Sequence, residues 1–374
     1  MSRLRILALE PYYGGSHRAV LDGLVMHVDA DWTLLTLPAR KWKWRMRGAA
    51  ITMAEQAAEL ARCTDPAPGG TASGSSAEFD LIFASTFINL AEFRGLVGGS
   101  LAATPAIVYF HENQLVYPNR YTAEWDFQFP LTNITSALSA DRCLFNTQWN
   151  LDEFLGALPG FIREFPDHHP RGLAERIAAK SEVIHPPFDP APFDDAPVTR
   201  GERVRILWPH RWEHDKNPEA FFSAVAHLAE EGLDFEVAVA GQAFRDVPQA
   251  ILDAERVLGK RLVHLGEPES RAEYAALLAG SDIAVSTADN EFFGLAMIEA
   301  SYAGCMPLVP DRLAYPELYP PALRYGGGGE LVARLRSLIL ERPAPGAARA
   351  LAEAYTFDAL APQFVRAFAR SGKL

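Results

Sequence analysis

Three cysteines occur in 374 residues: Cys63, Cys143 and Cys305. They are scattered, odd in number and without the paired spacing of a metal site, so they are expected as reduced core thiols in a cytosolic protein. No apolar run approaches the ~18 residues that a membrane-spanning helix needs. Met1-Ser2-Arg3 leads straight into an apolar strand, with no signal-peptide core. No Gly-x-Gly-x-x-Gly follows that strand, which counts against a nicotinamide enzyme. The one Asp-x-Asp, Asp29-Ala30-Asp31, falls between a helix and a strand, at the wrong strand end for a ligand, so no metal is assigned. Positive charge is short as well. A net charge of −12 argues against a nucleic-acid partner only as far as screening allows; with a Debye length of ~8 Å, a local basic patch outweighs a distant acidic surface.

The chain does hold 49% hydrophobic and 22% charged residues, the balance of a globular protein long enough for two domains. Strand and helix patterns alternate in two blocks, which predicts an α/β fold of two doubly wound domains with the ligand crevice between them. The expected division is 1–180 for the first domain and 181–200 for a Pro-rich linker. Residues 201–355 form the second domain, and 356–374 a helix returning to the first. Residues 64–77, rich in Pro, Gly, Ser and Thr, read as a surface loop.

The most informative stretch is Glu291-Phe-Phe-Gly-Leu-Ala-Met-Ile-Glu299. The apolar run Asp282 to Thr287 reads as a buried strand, and Ala296 to Gly304 as a helix with Glu299 about two turns in. Between them, the backbone N–H groups near Phe293, Gly294 and Leu295 open a helix, whose positive end suits a phosphate. At about 1.5 Å per residue the carboxylates stand roughly 10 Å apart, the span of a diphosphate with a sugar at each end. Glu291 then takes hydroxyls of one sugar and Glu299 those of a nucleotide ribose. Arg211 and Lys216 follow the strand Val204 to Trp208, and supply the positive charge that a leaving diphosphate needs in the absence of a metal.

In the first block, Gly14 and Gly15 follow the strand Arg3 to Leu9. They form a turn in which the backbone closes over phosphates and acceptor. Ser16 is the expected N-cap of a helix from His17. His111 ends the strand Ala106 to Phe110, where a carboxyl-end position faces the ligand; it is placed to hold a donor-sugar hydroxyl. The segment Arg40-Lys41-Trp42-Lys43-Trp44-Arg45-Met46-Arg47 interleaves cations with Trp and Met. If extended, it puts bases on one face and aromatics on the other, as suits a phosphate backbone and unpaired bases. An amphipathic docking edge and an anionic membrane surface remain alternatives.

The two-Glu stretch resembles the E-x7-E motif of retaining nucleotide-sugar glycosyltransferases of family 4, which have the GT-B fold. That resemblance implies that Glu291 contacts the transferred hexose and Glu299 the ribose. Glu10 to His17, Lys41 to Arg45, His111-Glu112-Asn113-Gln114-Leu115 with Tyr117-Pro118, Arg211 to Lys216 and Glu291 to Ala300 together resemble the tRNA-queuosine alpha-mannosyltransferases. The narrower resemblance spans both blocks. It implies mannose transfer from GDP-mannose to the cyclopentenediol of queuosine at the wobble position of tRNA(Asp).

The assignment that follows has Glu291, His111, Arg211 and Lys216 as catalytic residues. Gly14, Gly15, Phe293, Gly294, Leu295 and Glu299 bind the donor. Lys41, Trp42, Lys43, Trp44, Arg45, Arg47, His17 and Asn113 bind the acceptor tRNA. Neither cofactor, metal nor protein partner is implied, and the enzyme is expected in the cytoplasm. Two other functions share part of this evidence. One is a retaining glycosyltransferase for a lipid or polysaccharide at a membrane surface. The other is a catalytically silent RNA- or nucleotide-binding protein, against which the full set of two Glu, Arg211 and Lys216 argues.

Overall fold

The computed structural model describes residues 3–63, 79–118, 126–243 and 246–371; the loop expected at 64–77 lies outside them. Two compact units are present. One contains residues 1–187 and 360–374, the other residues 188–359.

The first unit is a six-stranded parallel sheet. Its strands are β1 (Leu4–Tyr13), β2 (Ala30–Pro38), β3 (Leu81–Ser85), β4 (Ala106–Phe110), β5 (Arg142–Phe145) and β6 (Ser181–Val183), in the order β2-β1-β3-β4-β5-β6. The second unit repeats the plan with β7 (Val204–Trp208), β8 (Phe235–Ala240), β9 (Leu262–Gly266), β10 (Ile283–Val285), β11 (Met306–Pro310) and β12 (Arg324–Tyr325), in the order β12-β11-β10-β7-β8-β9. Sheets of this kind are covered by helices on both faces, so their central strands are continuous apolar runs. All five residues of β3 and of β4 are buried. Each sheet packs its own core: Ile82, Val108, Phe110 and Phe154 belong to the first, and Ile206, Trp208, Phe221 and Val237 to the second.

Strand register is set by a repeated device. Asp80, Asp141 and Asp282 each stand one residue before a strand. Their carboxylates accept the backbone N–H of Arg5, Ala106 and Arg205 in the neighbouring strand, at 2.8, 2.8 and 2.9 Å. Their own N–H groups donate back to the carbonyls of the same three residues, at 2.9, 2.8 and 2.9 Å. Two bonds per clasp fix which residues reach the carboxyl ends of the strands.

Several local expectations change. The stretch 181–200 contains β6 and a short helix, Ala191–Asp194, rather than bare linker. Gly14, not Ser16, is the N-cap of helix α1 (Gly15–His27), because Gly15 adopts φ +54 and the helix turns in there. The basic-aromatic segment is not extended: it opens helix α2 (Trp42–Cys63). Its Arg, Lys and Met and the Ala-rich run behind them are strong helix formers. Helical spacing sends Trp42 and Met46 inward together, against Phe87 and Phe129. The last helix (Phe357–Ser371) packs Phe364 on Tyr109 and Phe368 on Trp32 and Phe83. Between them α3 is Gln128–Ser139, α4 Gln148–Arg163, α5 Pro218–Glu230 and α6 Leu295–Ala303. No helix among the described residues is long and apolar enough to cross a membrane.

Asp282 also meets two guanidiniums, Arg200 at 3.2 Å and Arg342 at 3.1 Å, while fully buried. Removing one partner of a buried charge cluster leaves the others uncompensated. Asp282→Ala is therefore expected to cost about 3–5 kcal/mol, read as a lower urea midpoint; a midpoint within error of the parent would contradict the clasp.

Candidate active site

In doubly wound sheets, ligands bind beyond the carboxyl ends of the strands where the strand order reverses. In the second unit that point lies between β7 and β10, and both loops there carry motif residues. After β7 the chain passes Pro209 to Asn217, whose left-handed backbone (φ +50) and side chain cap α5. This loop crosses β8 so closely that a Cβ on Gly241 would stand 1.8 Å from the His210 carbonyl oxygen; only glycine fits. After β10 the chain turns at Gly294 (φ +88), the N-cap of α6. A Cβ there would press to 3.0 Å against the Tyr315 ring.

Lys216 joins the two loops. It is buried, and its ammonium donates to the Asn290 carbonyl at 2.6 Å and to Glu291 Oε2 at 3.3 Å, with Asp215 Oδ2 at 3.3 Å. Burial alone would lower its pKa, but the Glu291 and Asp215 carboxylates outweigh that and raise it. Behind it, burial and the Lys216 charge push the His210 imidazole down to about 3, so this ring is neutral. Arg211 is half-exposed, 3.0 Å from Glu213. Glu299 is the fifth residue of α6 (Leu295–Ala303), little more than one turn in rather than two. It is buried and paired with Arg271, whose guanidinium lies 4.8 Å from the centroid of Phe193 and 5.2 Å from that of Tyr274. Phe293 is buried, with its ring 5.4 Å from Tyr355. Thus Lys216, Glu291 and the α6 N-terminus are brought together, and Arg271 is an addition that no motif pointed to.

In the first unit the order reverses between β1 and β3. Glu10, His17 and His111 are buried there, and their ligand atoms all lie within 4.8 Å of one another. His17 Nδ1 is 3.1 Å from Glu10 Oε2 and its Nε2 is 3.4 Å from Glu112 Oε2. Burial opposes protonation of His17, yet the two carboxylates hold its pKa up to about 10. Protonated, as those carboxylates favour, His17 has no lone pair to give a metal; deprotonated, it would complete with Glu10 and His111 a set of three ligand atoms. His111 stacks on His17 with ring centroids 4.0 Å apart; burial and that positive charge keep it neutral. Gly14 fits tightly, with a Cβ there meeting Ala39 Cβ at 2.4 Å. Asn113 is fully buried: its amide donates to Asn150 Oδ1 at 2.6 Å and its oxygen accepts from Leu115 and Val116. Its side chain shapes the loop after β4.

The basic segment divides. Trp42 packs 5.0 Å from Phe129 and 6.3 Å from Phe87, with Lys43 over its ring. Arg45 donates to the Pro38 carbonyl and Arg47 pairs with Asp126. Lys41 is exposed, with φ +52, and Trp44 is 67% exposed.

The architecture and the paired motif loops are those of a GT-B glycosyltransferase. Solved structures with the same fold include HepE of Anabaena in complex with UDP and glucose, at 15% identity, 98% of this chain and 100% of that one, TM-score 0.66. The sucrose-phosphate synthase of Thermosynechococcus elongatus matches at 13% identity, 98% and 99% coverage and TM-score 0.68. Residues 193–321 match the family described as glycosyl transferases group 1, and residues 5–188 that described as tRNA-queuosine alpha-mannosyltransferase N-terminal. A Drosophila melanogaster tRNA-queuosine alpha-mannosyltransferase is 37% identical over 343 residues, 88% of this chain and 85% of that protein. The chain belongs to the tRNA-queuosine alpha-mannosyltransferase family and is a hexosyltransferase.

The state of His17 has a measurable consequence. A pKa raised from 6.5 to about 10 on folding contributes stability that is fully present below pH 6.5 and is lost as pH rises through about 10. The stability difference between the parent protein and His17→Gln should therefore shrink across that window in urea titrations. A pH-independent difference would mean that His17 is neutral.

Proposed function

We propose that this protein transfers mannose from GDP-mannose to the cyclopentenediol of queuosine in tRNA(Asp), with retention of anomeric configuration and without a metal. The observation that carries the donor half is the Lys216 bridge between the two loops at the strand-order reversal. It holds Glu291 beside the N-terminus of α6, where a diphosphate gains from the helix dipole. In this reading Arg211, Lys216 and the N–H groups of Phe293, Gly294 and Leu295 stabilise the charge growing on the leaving diphosphate. Each such contact contributes roughly 10²–10³ in rate. Glu291 binds the hexose, Glu299 the ribose, and neutral His111 a sugar hydroxyl. The acceptor half is supported by the family and by the relative from Drosophila melanogaster, and implies a cytoplasmic enzyme.

Glu291 already accepts from an ammonium, which blunts it as a nucleophile. Same-face attack follows, with a donor phosphate oxygen taking the proton of the acceptor hydroxyl. A glycosyl-enzyme trapped on any carboxylate would contradict this.

Incubation with GDP-mannose, queuosine-containing tRNA(Asp) and EDTA should yield mannosyl-queuosine. Activity lost to EDTA and restored by Mn²⁺, or transfer from another nucleotide sugar alone, would overturn the corresponding part.

The two tryptophans separate by exposure. Trp44→Ala should weaken tRNA binding by about 1–3 kcal/mol, the worth of a stacked base, with an unchanged urea midpoint. Trp42→Ala should lower the midpoint, since it removes packing on Phe129 and Phe87. Equal tRNA affinity in Trp44→Ala and parent would remove base stacking from this helix.

A further inference from the structure

The reversal point of the first unit does not have the chemistry of a phosphate site. Glu10 and Glu112 bring two carboxylates to it and His17 one positive charge, while His111 is neutral. A diphosphate set against that balance would be repelled. What the spot offers is hydrogen-bond acceptance.

The carboxylate that offers it is Glu112, the second residue past β4. Its Oε1 accepts from Thr86 Oγ1 at 3.1 Å, and its Oε2 faces His17 Nε2 at 3.4 Å. Thr86 follows β3, and His17 lies in α1, so two separate parts of the chain fix one side chain. His17 is fixed in turn by Glu10, whose other oxygen accepts the Tyr12 N–H at 2.8 Å. Along this relay only Glu112 reaches solvent: its side chain is 17% exposed, against 6% for His17 and 4% for Glu10. An ionised carboxylate has about four lone-pair sites, and Thr86 and His17 occupy two. The remaining two sit on a preorganised, partly exposed group, which is what a pair of adjacent hydroxyl donors requires.

We propose that Glu112 is an acceptor-binding residue of this enzyme, taking hydroxyls of the vicinal diol on its two unoccupied lone-pair sites, with Glu10, His17 and Thr86 as the positioning residues that hold it. This rests on the acceptor reading given above and adds to it the group that recognises the diol. The buried imidazolium serves to orient the carboxylate, not to transfer a proton.

The test is steady-state kinetics of the full-length protein at saturating GDP-mannose with queuosine-containing tRNA, alongside calorimetric GDP binding. Glu112→Gln should raise the KM for tRNA about 10- to 100-fold, the worth of a hydrogen bond to a charged group, with GDP affinity unchanged. Thr86→Val removes only one anchor of the same carboxylate and should raise that KM several-fold, so the proposal stays testable if Glu112→Gln folds poorly. An unchanged KM in both variants, in a preparation whose parent protein is active, overturns this proposal alone. Variants restored to parent KM by Mn²⁺ overturn it in favour of a metal site at Glu10, His17 and His111. A parent protein that transfers nothing to queuosine-tRNA overturns the functional reading itself.

Discussion

A single buried ammonium holds the reversal point of the second unit together. Lys216 sits where burial would ordinarily strip its charge, and it remains charged because Glu291 and Asp215 face it and the Asn290 carbonyl accepts from it. Two loops from strands that are neighbours in the sheet but distant in sequence are joined there. The joint is reinforced by the backbone: the N–H of Asp289 and of Asn290 donate to the Asp215 carbonyl, at 2.8 and 3.3 Å. Trp208 Nε1 and the Lys216 carbonyl both engage Thr287 Oγ1, at 3.0 and 2.8 Å, tying the strand ends beneath. A carboxylate held this way presents its remaining lone pairs in a fixed direction, which favours hydroxyl binding over nucleophilic attack. The orientation of Glu291 thus follows from the pairing of β7 with β10, which the Asp282 clasp ties together at the opposite end of β10.

The first unit uses the same arrangement of a buried cation between two carboxylates. There a buried cation, the His17 imidazolium, lies between two carboxylates and orients the more exposed one. Each reversal point therefore has a buried charge whose partners do the reaching. One consequence differs between them: the second unit adds a half-exposed arginine, which suits an anion, and the first adds a neutral imidazole, which suits hydroxyls.

Much of this was legible from the chain. Short apolar runs located β4 and β7 to the residue; their length and their β-branched and aromatic content, not their period, mark them as strands. Glu291, Lys216 and His111 were placed for a different reason: each was read into the stretch beyond a strand's carboxyl end, and the structure has His111 directly after β4 and the other two in the loops after β10 and β7. Glu299 was placed about a turn too deep although the expected helix start, Ala296, lies only one residue from the observed Leu295: the error is in the turn count, at 3.6 residues per turn. The basic-aromatic segment was read as extended from its alternation, and helix propensity over the next twenty residues prevailed. Asn113 stood in a motif with His111, yet its role is to hold the loop. Glu10 and Glu112 flanked the glycine turn and the histidine in plain view; what made them notable, their convergence on His17, is a tertiary fact with no local signal.

Mass analysis of tRNA nucleosides from cells lacking the gene tests the central claim most directly. Hexosyl-queuosine should be absent with unglycosylated queuosine in its place. The hexosylated nucleoside should return on expression of the parent chain but not of Glu291→Ala. Normal hexosyl-queuosine in the deleted cells would contradict the account.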